Sequence, residues 1–93
     1  MITTNRSHSA DIEAIRAEIA AQLGYNPKTP PVQVSDKQAA DVLGVKASTL
    51  AVWRSTGRYA LPFIKAGRLI RYRVSDLAEF LARRTELNTG SAA

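Results

Sequence analysis

The apolar positions of the chain alternate between two periods. Ile12, Ile15, Ile19 and Leu23 recur at intervals of three and four, with alanines between them and Gly24 as a stop; this predicts an amphipathic helical unit over residues 10–24. Residues 25–31, YNPKTPP, hold three prolines in seven positions and predict an extended, semi-rigid connector. Helical spacing returns at Ala39, Ala40 and Leu43, with Ser35 and Gln38 spaced as a capping box and Gly44 as the terminator. Val45 can then fill the corner before a second helix from Ala47. That helix turns Leu50 and Trp53 inward and Ser48, Thr49, Val52 and Ser55 outward. Gly57 ends it, and Arg58–Pro62 form a connector. The period then drops to two: Ile70, Tyr72 and Val74 alternate with Leu69, Arg71 and Arg73. With Phe63–Lys65 before a turn at Ala66-Gly67, this predicts a β-hairpin with one apolar and one basic face. Ser75 is placed to cap a last helix that buries Leu77, Phe80 and Leu81, with Asp76 and Glu79 early and Arg83 and Arg84 late. Residues 1–9 and 88–93 are polar or small and predict a flexible N-terminus and a frayed tail.

These elements predict an α+β, mostly α fold: a winged helix-turn-helix over residues 32–87 with a two-stranded β-hairpin wing, plus an added N-terminal helix. Ninety-three residues suit one small domain with a modest core, expected to comprise Leu43, Leu50, Trp53, Ile70, Tyr72, Leu77 and Phe80. The stripe of Ile12, Ile15, Ile19 and Leu23 must also be covered. It can fold back on its own domain or dock on an adjacent protomer; because the proline-rich connector is expected to hold it away from the core, the protomer contact is the reading pursued.

Charge sharpens the picture. The net charge is +5, and residues 1–31 are neutral. Between Asp41 and Asp76 there is no acid, whereas Lys46, Arg54, Arg58, Lys65, Arg68, Arg71 and Arg73 are all basic. A solvated face mixes both signs, so this run points to a polyanion. Cysteine is absent and the single His8 lies in a polar segment, which predicts no disulfide, no metal site and no cofactor. No apolar run spans a bilayer and no signal peptide is recognisable, so a cytoplasmic chain is expected. Tyr25, Tyr59 and Tyr72 offer no convergent catalytic set, and an enzyme is not expected.

The order helix, turn, helix, wing, helix, and the string LGVKASTLAVWRSTGRYALPFIKAGRLIRYRVSDLAEFL, resemble the compact winged-helix proteins of the MerR superfamily, in particular phage and mobile-element excisionases, or recombination directionality factors. The resemblance covers about residues 32–84 and rests on Ala39, Ala40, Leu43-Gly44-Val45, Thr49, Trp53, Leu61-Pro62, Gly67-Arg68, Tyr72 and Ser75-Asp76-Leu77. It implies a bacterial or phage-encoded protein whose second helix enters the major groove through Ser48, Thr49 and Val52, while Arg68 of the wing reaches the adjacent minor groove. Ala47, Ala51 and Val52 stand where relatives often carry charged residues, so direct readout rests on Ser48 and Thr49 hydroxyls and on Ala47 or Val52 against a thymine methyl. Specificity then leans on DNA shape and bendability.

The expected interface is therefore Lys46, Ala47, Ser48, Thr49, Val52, Arg54, Ser55, Arg58, Lys65, Arg68 and Arg71 on double-stranded DNA. The resemblance implies a DNA-bending factor that assists an integrase in excising a mobile element, with cooperative self-association on DNA through the N-terminal helix. A small transcriptional regulator is the alternative, and a winged helix that meets an acidic protein is a third reading. No small-molecule ligand is expected.

Overall fold

The computed structural model describes the backbone of residues 3–92 and the side chains of residues 11–84. Its elements are α1 (Thr3–Gln22), β1 (Gln33–Ser35), α2 (Asp36–Leu43), α3 (Ala47–Thr56), β2 (Ile64–Ala66), β3 (Leu69–Arg73) and α4 (Val74–Ala92). The fold is a mostly helical winged helix-turn-helix with an added N-terminal helix, as the pattern predicts. Met1, Ile2 and Ala93 lie outside the described residues. Within them the backbone is helical from Thr3 and as far as Ala92, beyond both apolar stripes.

Local chemistry sets the helix-turn-helix. The Ser35 hydroxyl accepts from the Gln38 N–H at 3.0 Å, and the Gln38 side chain accepts from the Ser35 N–H at 2.9 Å. This reciprocal cap satisfies two amides that α2 leaves open and is worth about 1 kcal/mol. At the other end Gly44 has φ 72°, a left-handed conformation that a β-carbon disfavours. The Gly44 N–H donates to the Asp41 carbonyl at 3.2 Å and the Val45 N–H to the Ala40 carbonyl at 3.0 Å. These bonds close the last turn and deliver Val45 against the core.

The wing belongs to a three-stranded antiparallel sheet of order β1-β3-β2. Tyr72 pairs with Val34 on one side of β3, and Arg71 with Ile64 on the other. The pattern did not predict β1, because three residues after a proline pair are too few to show a period. The alternation along β3 holds: Tyr72 and Val74 are buried, Ile70 is half-buried, and Leu69 and Arg73 are exposed. Ser75 does not cap α4. The strand runs straight into the helix at Val74, whose N–H donates to the Val32 carbonyl at 2.9 Å, so Ser75 falls in the first turn.

The largest correction concerns α1. Its stripe is covered within its own domain: Ile19 is 2 % exposed and joins Val34, Leu50, Tyr72 and Leu77 in one buried cluster, with Ile12, Ile15 and Leu23 packed against it. Ile19 has no surface left for an adjacent protomer, whereas Ile12, Ile15 and Leu23 stay half-buried; of the two covers weighed for the stripe, the structure forms the fold-back on its own domain. The connector is the reason. Instead of extending, it turns: the Tyr25 N–H donates to the Ala20 carbonyl at 2.8 Å, the Lys28 N–H to the Asn26 side chain at 2.9 Å, and the Thr29 N–H to the Asn26 carbonyl at 3.0 Å. Two further bonds tie α1 and the connector to α2, from Gln22 Nε2 to the Asp41 carbonyl and from Gln38 Nε2 to the Tyr25 hydroxyl, each 3.2 Å. Helix α1 thereby lies along α4, where the small buried residues Ala20, Ala78 and Ala82 permit close approach.

Ile19→Ala should accordingly destabilise the chain by about 3 kcal/mol, through lost transfer energy and a residual cavity, read as a lower urea midpoint of the free protein. An unchanged midpoint would show that α1 contributes nothing to the core.

Candidate nucleic-acid interface

Helix α3 presents two outward strips. Ser48, Val52 and Ser55 are exposed along one of them, Val52 at 55 %, and Thr49 is half-buried. The Ser55 and Thr56 hydroxyls donate to the Val52 carbonyl at 3.1 and 2.8 Å, so at rest the Ser55 hydroxyl serves its own helix. Ala47 and Ala51 form the other strip, beside the hairpin. At the helix start Lys46 occupies the N-cap position without a side-chain cap, so no N-cap side chain satisfies the first-turn amides.

The small alanines leave room on both sides of the wing tip. A groove of about 600 Å³ is lined by Ala51, Arg54 and Ser55 of α3 and by Phe63, Lys65, Gly67, Arg68 and Ile70 of the hairpin. A second, of about 710 Å³, brings Lys46 and Ala47 together with Lys37, Arg68 and Leu69, and its α2 side also carries Asp36 and Asp41. Gly67, at φ 62°, makes the tight turn that puts Arg68 between the two grooves. Of the residues expected from sequence, the structure thus gathers Lys46, Ala47, Arg54, Ser55, Lys65 and Arg68. Ser48, Thr49, Val52, Arg58 and Arg71 line neither groove. Arg71 is half-buried on β3, and the exposed Arg58 has its guanidinium 5.1 Å from the Tyr59 ring centre.

Pairing decides which cations remain available. Arg54 donates from Nη1 to Asp36 Oδ1 at 2.6 Å and to the Tyr72 hydroxyl at 3.0 Å, and its side chain is only 17 % exposed. It is therefore a structural cross-link from α3 to the start of α2 and to the central strand, and its charge is already matched by Asp36. Burial alone lowers the Arg54 pKa, but the bonds to Tyr72 and Asp36 outweigh it and hold the pKa above its ordinary value. Arg73 is also engaged, with Asp76 at 3.2 Å. Removing these two from the seven leaves Lys46, Arg58, Lys65, Arg68 and Arg71, none of which has an ion pair among the described residues.

The segment after α3 is the connector the pattern predicts, with a short 3-10 turn over Arg58–Ala60 whose backbone it does not signal. Tyr59 and Ala60 hold positive φ, 67° and 51°, uncommon for residues with a β-carbon. Tyr59 is fixed there by Trp53, 4.7 Å away edge to face, and by the Arg84 guanidinium 4.3 Å from its ring centre. Nothing in the string Arg58-Tyr59-Ala60 signals this turn, because its support comes from side chains of α3 and α4. Phe63 and Leu69 escaped the site prediction as well, though both are exposed beside the grooves, Leu69 at 54 %. The alternation along β3 had already put Leu69 on the basic face.

No group of three His, Cys, Asp or Glu among the described residues is arranged to hold a metal ion, and none of their helices is long and apolar enough to cross a membrane. A family model described as a helix-turn-helix domain matches residues 34–85, from β1 into α4. No curated protein and no solved structure matches the chain.

The Tyr72 phenol makes the cross-link pH-sensitive. Burial pushes its pKa above the ordinary value, with Arg54 partly opposing. Below about pH 10 both folded and unfolded chains keep the proton. Above it the unfolded chain ionises first, so stability should fall as pH rises through the folded-state pKa. Urea midpoints between about pH 8 and 11 should show this loss, and Tyr72→Phe should remove part of it. Arg54→Met, which strands Asp36 and the phenol, should cost about 2 kcal/mol at neutral pH.

Proposed function

The chain belongs to the helix-turn-helix domain family, and on that premise we propose that it is a winged-helix protein that binds and bends double-stranded DNA and assists an integrase in excising a mobile element. The observation that carries the DNA reading is the set of five cations without ion pairs among the described residues: Lys46 at the N-cap of α3, Arg58 in the segment after it, and Lys65, Arg68 and Arg71 in the wing. An acidic protein partner would match the charge but would not require an outward helix beside a wing.

Helix α3 enters the major groove with Ser48, Thr49 and Val52 toward the base edges, and Ala47 and Ser55 at its margins. Arg68 enters the neighbouring minor groove, and the sugar–phosphate strand between the two grooves of DNA runs past Lys46 and Lys65. Arg58 and Arg71 contact phosphates at the periphery. Two hydroxyls and two short apolar side chains read few bases, so preference comes largely from groove width and flexibility. That economy suits an accessory bending factor, and the resemblance to excisionases through Leu43-Gly44-Val45, Leu61-Pro62 and Gly67-Arg68 favours excision over regulation.

Binding should be strongly salt-dependent. With about four phosphates neutralised, log K should fall against log salt with a slope near about −3.6. Arg68→Ala should flatten the slope by about 0.9 and weaken A·T-rich duplexes with narrow minor grooves more than G·C-rich ones. A slope near zero would remove DNA as the partner.

Deleting the gene in its host separates the two roles. Loss of the excised junction, followed by amplification across it, is the result expected of a directionality factor. An unchanged junction with altered transcripts would assign the protein to regulation.

A further inference from the structure

Leu69 is the most outward apolar side chain of the wing, and the fold does not use it. It opens β3 directly after the Gly67-Arg68 turn, pairs with the small Ala66, and stays 54 % exposed. Alternation puts it on the sheet face opposite Tyr72 and Val34, which are fully buried. Its backbone is nonetheless held by strand pairing, so the side chain has a fixed position and direction. Cations stand near it: Arg68 precedes it, Arg71 shares its face two residues on, and Lys46 lines the same groove as Leu69 and Arg68, whose α2 side carries Asp41 and the Arg54-paired Asp36.

When Lys46, Arg68 and Arg71, which have no ion pair among the described residues, draw in a polyanion, the apolar side chain between them is carried against it. The base faces are the apolar surface a duplex can offer, and they become accessible only when a step is unstacked. Pyrimidine–purine steps unstack with least resistance, and leucine is among the side chains able to enter such a step from the minor groove. We infer that Leu69 is an apolar wedge that inserts beside Arg68 between two base pairs and kinks the duplex toward the major groove. Arg68 supplies the attraction to a narrow minor groove, and Leu69 supplies the deformation. A binder with so few base-reading groups on α3 thereby gains preference for sites containing a flexible step. The inference rests on the assignment of the wing to the minor groove of DNA.

The test uses the full chain and duplexes recovered by it from a randomised pool, labelled at both ends for energy transfer and carrying 2-aminopurine at a pyrimidine–purine step. Bound protein should shorten the end-to-end distance, consistent with a kink of roughly 20–90°, and raise 2-aminopurine fluorescence at that step. Leu69→Ala should lose both signals while keeping the wild-type salt slope and melting temperature, and Leu69→Met, long and apolar, should retain them. Equal bending and fluorescence with Leu69→Ala would overturn the wedge, as would wild-type complexes that stay straight and stacked at saturation. Recovery of no duplex at all would overturn the DNA-binding reading itself, and the wedge with it.

Discussion

Tyr72 is where the separate parts of this domain meet. Its ring is buried in the central strand beside Val34, and its hydroxyl reaches the Arg54 guanidinium, which also holds Asp36. One residue each from β3, α3 and α2 is thereby joined in a chain of hydrogen bonds at the edge of the core. The net stabilisation from such a partly buried ion pair is modest, because desolvation offsets most of the attraction. Its effect is on geometry. The link ties α3 at one point to both the start of α2 and the central strand.

The same link explains why charge counted along a sequence overstates the charge a surface presents. Arg54 sits in the middle of the basic run, on a helix whose neighbours face outward, and periodicity alone cannot tell an exposed cation from one turned toward Asp36, eighteen positions upstream. Arg73 is diverted in the same way by Asp76, an acid that bounds the basic run in sequence and neutralises its edge in space. The bias toward one sign survives this correction, but it is narrower and more sharply located, on the start of α3, the turn after it and the hairpin.

Most of the architecture was legible because each boundary has a local cause. The capping box at Ser35, the left-handed Gly44 and the alternation of Ile70, Tyr72 and Val74 act over a few residues, and the structure forms all of them. What escaped depends on contacts distant in sequence. Strand β1 exists because β3 offers an edge, and Tyr59 holds a left-handed backbone because Trp53 and Arg84 receive its ring. The fate of α1 turned on the connector. Three prolines suggest stiffness, but stiffness does not fix direction, and the Asn26 turn together with Gly24 sends the chain back toward α4. Of the candidate site, Lys46, Lys65 and Arg68 were legible as exposed cations, whereas Arg54 and Leu69 required the pairing of strands and helices to be seen.

The returned helix also bears on how so small a domain keeps a rigid wing. A short chain buries a small share of its surface, and every apolar face that finds cover counts. Ile19 is the piece of α1 that reaches the shared core, next to Leu77 and Tyr72. Covering that core from behind leaves the sheet's outer face and the outward strips of α3 free of any duty to the fold. The residues there are mostly small, polar or charged: Ala47 and Ala51 beside the grooves, Ser48 and Val52 exposed along α3, Arg68 and Leu69 at the wing tip. Short hydroxyl and apolar side chains offer few groups able to read a base edge, which is why preference in the proposed function lies in DNA shape rather than in direct contacts.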